Sequence, residues 1–141
     1  MTDTSVHAQA RELSSFAPTQ TAAKPRRILV VEDNLDAVHS FALLLHDMGH
    51  KVEYAINGWV AIDVARRFRP QFVFLDLGLP GMDGFELCRR IKKEPGLEST
   101  RLIALTGYGQ EEYRQRSSEA GCELHLLKPF DAKYIEGLLA S

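Results

Sequence analysis

From residue 26 onward the chain alternates short apolar runs with stretches in which apolar residues recur every three or four positions. The runs at 28–31, 52–55, 72–75, 102–105 and 124–127 have the length of strands, and three of them are apolar without interruption. Strands apolar on both faces belong in a parallel sheet covered by helices on each side. Between the runs lie helical patterns. Leu35, Val38, Ala42, Leu45 and Met48 trace one face of a first helix that Gly49 ends, and Ala61, Ile62, Ala65 and Phe68 trace a second closed by Pro70. Asp83 is placed to cap a third helix, with Glu86 reaching back in a capping box and Leu87, Cys88 and Ile91 facing the core. A fourth helix is expected over 110–120 and a fifth over 131–139, with Tyr134, Ile135, Leu138 and Leu139 on its apolar side.

Five strands alternating with five helices predict a doubly wound α/β domain, because right-handed crossovers place successive helices on both faces of a parallel sheet. Residues 1–25 differ: they are rich in Ala, Ser, Thr and Gln, include Pro18 and Pro25, and show no sustained apolar period. They read as a disordered tail, with no supporting signal for a helix over 8–13, and residues 26–141 as one folded domain. No second folded domain is expected after the fifth helix.

Composition narrows the function classes. The balance of 17 Lys+Arg against 19 Asp+Glu contains no block of like charge, so nucleic acid is not an expected partner. The apolar runs are too short to span a bilayer and the first twenty residues lack the apolar stretch of a signal peptide, so a soluble, cytoplasmic protein with no membrane contact is expected. Cys88 and Cys122 have no second pair, which indicates neither a zinc site nor a disulfide framework and leaves two ordinary buried thiols. His46 and His50 have helical metal-ligand spacing, but Gly49 interrupts the helix that would align them.

The polar residues stand at strand ends. Glu32 and Asp33 follow the first strand, Asp76 ends the third, Thr106 the fourth and Lys128 the fifth. In a doubly wound sheet all five converge at the carboxyl edge, where ligands bind. Three carboxylates there repel one another by about 4 kcal/mol per pair at 4 Å and an effective dielectric of 20, so a cation belongs among them. Oxygen ligands with open water positions suit Mg²⁺. A carboxylate beside Mg²⁺ and a lysine is suited to accept a phosphoryl group, and Thr106 to hydrogen-bond it. Each residue alone has an ordinary reading as a cap, turn or surface group; the coincidence of position carries the argument.

The segments Ile28-Leu29-Val30-Val31-Glu32-Asp33-Asn34, Phe74-Leu75-Asp76-Leu77-Gly78-Leu79-Pro80-Gly81-Met82-Asp83-Gly84, Ala104-Leu105-Thr106-Gly107 and Leu127-Lys128-Pro129-Phe130 resemble, in order, the four signature regions of the response-regulator receiver family of two-component signalling. The resemblance spans about residues 26–140 and implies a flavodoxin-like sheet of strand order 2-1-3-4-5. It further implies Asp76 as phosphoacceptor, with Asp33, Asp76 and the backbone carbonyl of Gly78 as ligands of Mg²⁺ and Glu32 acting through a metal-bound water. Thr106 and Lys128 match the phosphoryl-contacting residues, Gly107 a small position that admits a phosphohistidine, and Pro80, Gly81 and a cis Lys128–Pro129 bond the loop-shaping features. Tyr108 and Gly78 match positions that tune the lifetime of the phosphoryl group. His125 departs from the Tyr or Phe that many members carry as a rotating switch.

The implied partners are a sensor histidine kinase or phosphotransfer protein as donor and a downstream protein as receiver of the signal, with homodimerisation through the fourth-helix and fifth-strand face as a further outcome. The implied protein is a signalling domain that consumes its own acceptor, not an enzyme. Two other readings compete. A pseudo-receiver would use the fold only for protein contacts, and a flavodoxin-like nucleotide binder would need a phosphate-cradling loop where this chain has Glu32-Asp33-Asn34.

Overall fold

The computed structural model describes residues 24–79, 81–107 and 113–141. Each strand forms where the apolar runs predict: β1 (Arg27–Val31), β2 (Lys51–Ala55), β3 (Phe72–Asp76), β4 (Arg101–Thr106) and β5 (Leu124–Leu127). They pair in parallel in the order β2-β1-β3-β4-β5. Among the described residues the connecting helices are α1 (Leu35–Asp47), α2 (Gly58–Phe68), α3 (Gly84–Lys93), α4 (Tyr113–Glu119) and α5 (Ala132–Ala140). The expected tail and the 8–13 segment lie outside the described residues except for Lys24 and Pro25, as do Pro80, Tyr108 and the start of the expected fourth helix.

Side chains of a strand point alternately to the two faces, and the buried residues divide accordingly. Ile28, Val30, Phe72, Phe74, Ile103 and Leu105 pack with Val38, Phe41 and Leu45 of α1 and Ile135 and Leu139 of α5. On the opposite face Leu29, Val31, Val73, Leu75, Leu102 and Ala104 pack with Ala61, Ile62 and Ala65 of α2 and Leu87, Cys88 and Ile91 of α3. The continuous apolar runs of β1, β3 and β4 therefore serve two cores. Phe41 sits edge-on to Phe74 at 5.1 Å between centroids, a favourable aromatic geometry.

Local chemistry sets the helix ends. Asn34 and Asn57 accept the backbone N–H of Ala37 and Val60 as N-caps of α1 and α2. Gly49 turns the chain after α1 with φ of 101°, and His50 beyond it leaves the helix, so the two histidines do not share a helical face. Asp83 caps α3 through the N–H of Phe85 at 2.9 Å, as expected. Glu86 does something else: its carboxylate is held by Arg90 at 2.9 Å and Arg89 at 3.5 Å, since cations three and four residues on compete for it.

Two residues depart from their expected burial. Leu35 is 53 % exposed at the first turn of α1, while Phe41, outside the expected stripe, is buried further along the helix. Tyr134 is 49 % exposed on α5. Both stand at the edge of an apolar stripe, and periodicity does not fix how far the partner layer extends. The two cysteines, read as separate thiols, meet: their sulfurs are 2.9 Å apart.

Gly84 lets α3 start against the chain just beyond β3. A β-carbon there would lie 2.7 Å from Leu77 Cα, a backbone atom with no freedom to yield. Gly84→Ala is expected to cost roughly 1–3 kcal/mol, measured by urea unfolding.

His50 is buried and its Nδ1 accepts the N–H of Arg26 at 2.9 Å. Burial, and then the charge of Arg26, lower its pKa below the ordinary histidine value of 6.5. The unfolded chain therefore takes up the proton first as pH falls. The stability contributed by neutral His50 is complete above 6.5 and drains away as pH drops through that value toward the lower folded pKa. Wild type is expected to lose more stability than His50→Asn between about pH 7.5 and 5.5, read from urea midpoints.

Candidate functional site

The chain passes from β1 to β2 on one side and then returns to β3 on the other, so the strand order reverses between β1 and β3. That reversal opens a crevice at the carboxyl edge of the sheet. Glu32 and Asp33 leave β1 there, and Asp76 is the last residue of β3. One carboxylate oxygen from each of the three lies within 4.8 Å of the others. Glu32 is 6 % exposed, Asp76 is half-buried and Asp33 is open to solvent.

Lys128, the first residue after β5, spans the cluster. Its ammonium donates to Glu32 Oε1 at 2.7 Å and to Asp76 Oδ2 at 3.0 Å. Burial would lower its pKa, but the hydrogen bonds to Glu32 and Asp76 and their negative charges outweigh that effect and hold it above the ordinary lysine value. The backbone orients the carboxylates further. Gly78 donates its N–H to Asp76 Oδ1 at 2.8 Å, and Asn34 donates its N–H to Glu32 Oε2 at 3.2 Å. Three carboxylates face one ammonium, which leaves an excess of negative charge at the crevice mouth where Asp33 is exposed. An all-oxygen donor set with this charge and an open side fits a hard divalent cation such as Mg²⁺.

Thr106 ends β4 and is fully buried. Its hydroxyl is 2.8 Å from Nε2 of His125 on β5, and its carbonyl accepts the N–H of Lys128 at 2.8 Å. Sequence reasoning placed both Thr106 and His125 but not the bond between them. It depends on register: Ala104 pairs with His125 and Thr106 with Leu127, so the imidazole lies two positions behind the hydroxyl and on the same face of the sheet. Gly107 follows Thr106 and is half-buried. Gly81 adopts φ of 84° in the loop after Asp76, and the Lys128–Pro129 bond is cis. Pro80 lies outside the described residues.

A doubly wound sheet with an acidic cluster, a lysine and a buried threonine at its carboxyl edge defines a CheY-like receiver architecture. The chain belongs to the response regulator receiver domain family, whose model matches residues 28–140. It is 38 % identical over 109 residues to sporulation initiation phosphotransferase F of Bacillus subtilis, covering 74 % of this chain and 83 % of that protein. It is 30 % identical to the polar-differentiation response regulator DivK of Brucella anthropi, covering 79 % of this chain and 92 % of the relative.

Among solved structures it superposes on chemotaxis response regulator CheY4 of Vibrio cholerae with a TM-score of 0.75, at 26 % identity over 82 % of this chain and 97 % of that one. The receiver domain of a Pseudomonas aeruginosa sensor histidine kinase, with magnesium coordinated in its active-site cleft, gives 0.74 at 28 % identity, covering 82 % of this chain and 95 % of that one. Receiver domains are signalling modules of two-component phosphorelays and bind Mg²⁺ in their acidic site. No helix of the described residues is long and apolar enough to cross a membrane.

Removing the ammonium would leave the buried Glu32 carboxylate beside Asp76 without a countercharge. Lys128→Ala is expected to destabilise the metal-free protein by about 1–2 kcal/mol, less than a fully buried pair because the lysine is partly solvated. Urea unfolding in the presence of a chelator measures it.

Proposed function

We propose that this receiver domain takes a phosphoryl group onto Asp76 from the phosphohistidine of a sensor histidine kinase or phosphotransfer protein, and that the new charge alters a surface read by a downstream protein. The observation that carries the reading is the reach of Lys128 to both Glu32 and Asp76, with Asp33 beside them. That set is costly unless positive and phosphoryl-bearing ligands use it.

Asp33, Asp76 and the Gly78 carbonyl would hold Mg²⁺, with Glu32 acting through a water. When bound, the metal neutralises charge on the transferring group and favours in-line attack. The chain's own groups do the rest. The N–H of Gly78 and the ammonium of Lys128 fix the Asp76 carboxylate so that one oxygen is presented as nucleophile. A P–O bond forms to that oxygen as the P–N bond to the donor imidazole breaks, and the imidazole keeps the electron pair. Lys128 then has a phosphoryl oxygen to pair with, and Gly107 leaves room for the donor ring.

Thr106 couples the site to the surface. A hydroxyl has one proton to give, and in this state Thr106 shares its bond with His125. Donation to a phosphoryl oxygen draws the hydroxyl toward Asp76 and changes its contact with His125 on β5. That strand is half-exposed at all four positions and lies at the edge of the sheet, and Tyr134 of α5 is exposed as well. The face of α4, β5 and α5 is thus the surface proposed to change, for a downstream protein or for a second copy of the chain. The presence of every charged group the transfer needs speaks against a purely structural receiver.

Incubation with Mg²⁺ and acetyl phosphate is expected to add one phosphoryl group to wild type and none to Asp76→Asn by intact mass; equal labelling of the two would defeat the assignment. Asp33→Asn is expected to weaken Mg²⁺ binding by at least about tenfold in a fluorescence or calorimetric titration, and an unchanged affinity would remove Asp33 from the ligand set.

A further inference from the structure

Away from the acidic crevice, the chain's two cysteines are brought together by elements that sequence spacing does not relate. Cys88 lies on the buried face of α3, fully shielded between Leu87 and Ile91. Cys122 lies in the turn after α4, where Gly121 takes φ of 108° and the N–H of Glu123 bonds Leu102 to start β5. The sulfurs stand 2.9 Å apart although 34 residues separate them. They share the edge of the core layer that α2 and α3 form on the sheet. Bonded sulfurs lie about 2.05 Å apart, so a shift of under roughly 1 Å joins the two.

We propose that Cys88 and Cys122 are a site of covalent modification, closing a reversible intramolecular disulfide when a peroxide is supplied. Cys122 is 6 % exposed and Cys88 is not exposed at all, so the oxidant meets Cys122 first. Its sulfur attacks the peroxide O–O bond and becomes a sulfenic acid, releasing water. The sulfur of Cys88 then displaces the sulfenic oxygen, which leaves as water with the Cys88 proton. Two thiols and one hydrogen peroxide give one disulfide and two waters; the sulfur pair loses two electrons and the peroxide gains them.

The hydrogen bond to Cys122 and burial hold the Cys88 thiol well above the ordinary cysteine pKa, and its complete burial leaves Cys122 to meet the oxidant first, with Cys88 placed beside it to close the bond. A dithiol reductant reverses the step. The bond would tie α3 to the turn that feeds β5, three residues before His125.

The test uses the full reduced chain treated with hydrogen peroxide, then denatured and alkylated with iodoacetamide. Because the chain has only two cysteines, an intramolecular bond can join no other pair. The expected product is a monomer two hydrogens lighter that takes up no alkyl group and regains both sites after dithiothreitol. Two alkyl groups on the peroxide-treated chain, a disulfide-linked dimer, or oxygenated cysteine without a link would overturn the proposal.

Cys88→Ser is expected to halt at a Cys122 sulfenic acid captured by dimedone. Should that variant not fold, the wild-type melting midpoint serves in its place. It is expected to rise on oxidation because the bond closes a 34-residue separation, and a fall would show that the native fold does not accommodate the bond.

Discussion

The repulsion among Glu32, Asp33 and Asp76 is the constraint around which this molecule is arranged. At the end of β1 and β3 the strands are close neighbours, and the carboxylates they release fall within 4.8 Å of one another. Lys128 meets that repulsion from 96 residues beyond Glu32 and 52 beyond Asp76 along the chain, reaching both together. Its position depends on β5 lying beyond β4 and on its own N–H bonding the carbonyl of Thr106. The two apolar layers hold that order in place, and their burial supplies free energy that offsets the repulsion at the polar edge.

The same edge reaches the half-exposed strand β5. Thr106 is buried and its hydroxyl is bonded to His125, so the end of β4 is tied to the edge strand β5 by a polar side-chain contact. A half-exposed edge strand has fewer contacts to resist a shift than β1, β3 or β4, which are enclosed by helices on both faces. The imidazole in place of a phenol or phenyl ring makes the link polar. It bonds the hydroxyl directly, which a phenyl ring could not do.

The α3 side of the molecule is anchored differently. Arg116 of α4 stands over the ring of Phe85 at 4.1 Å and approaches Asp83 at 3.9 Å, while the paired sulfurs sit deeper against the same helix. The apolar loop after Asp76, through Leu77, and the turn into β5 thus both lean on α3. Its N-terminus is fixed by the Asp83 cap and by the close passage of Gly84 over Leu77.

Local order and composition were legible in the chain alone. Uninterrupted apolar runs in β1, β3 and β4 can be buried only between two helical layers, which determined a doubly wound parallel sheet, and strand-end positions of Glu32, Asp33, Asp76, Thr106 and Lys128 determined that chemistry gathers at one edge. Contacts across elements were not legible, because they depend on register and on how far each layer extends. The Thr106–His125 bond required the pairing of β4 with β5, the Cys88–Cys122 contact required α3 to pack beside the turn after α4, and the exposure of Leu35 and Tyr134 required the limits of the helical layer. Periodicity assigns a residue to a face, whereas the distance between two faces is decided only when both are packed.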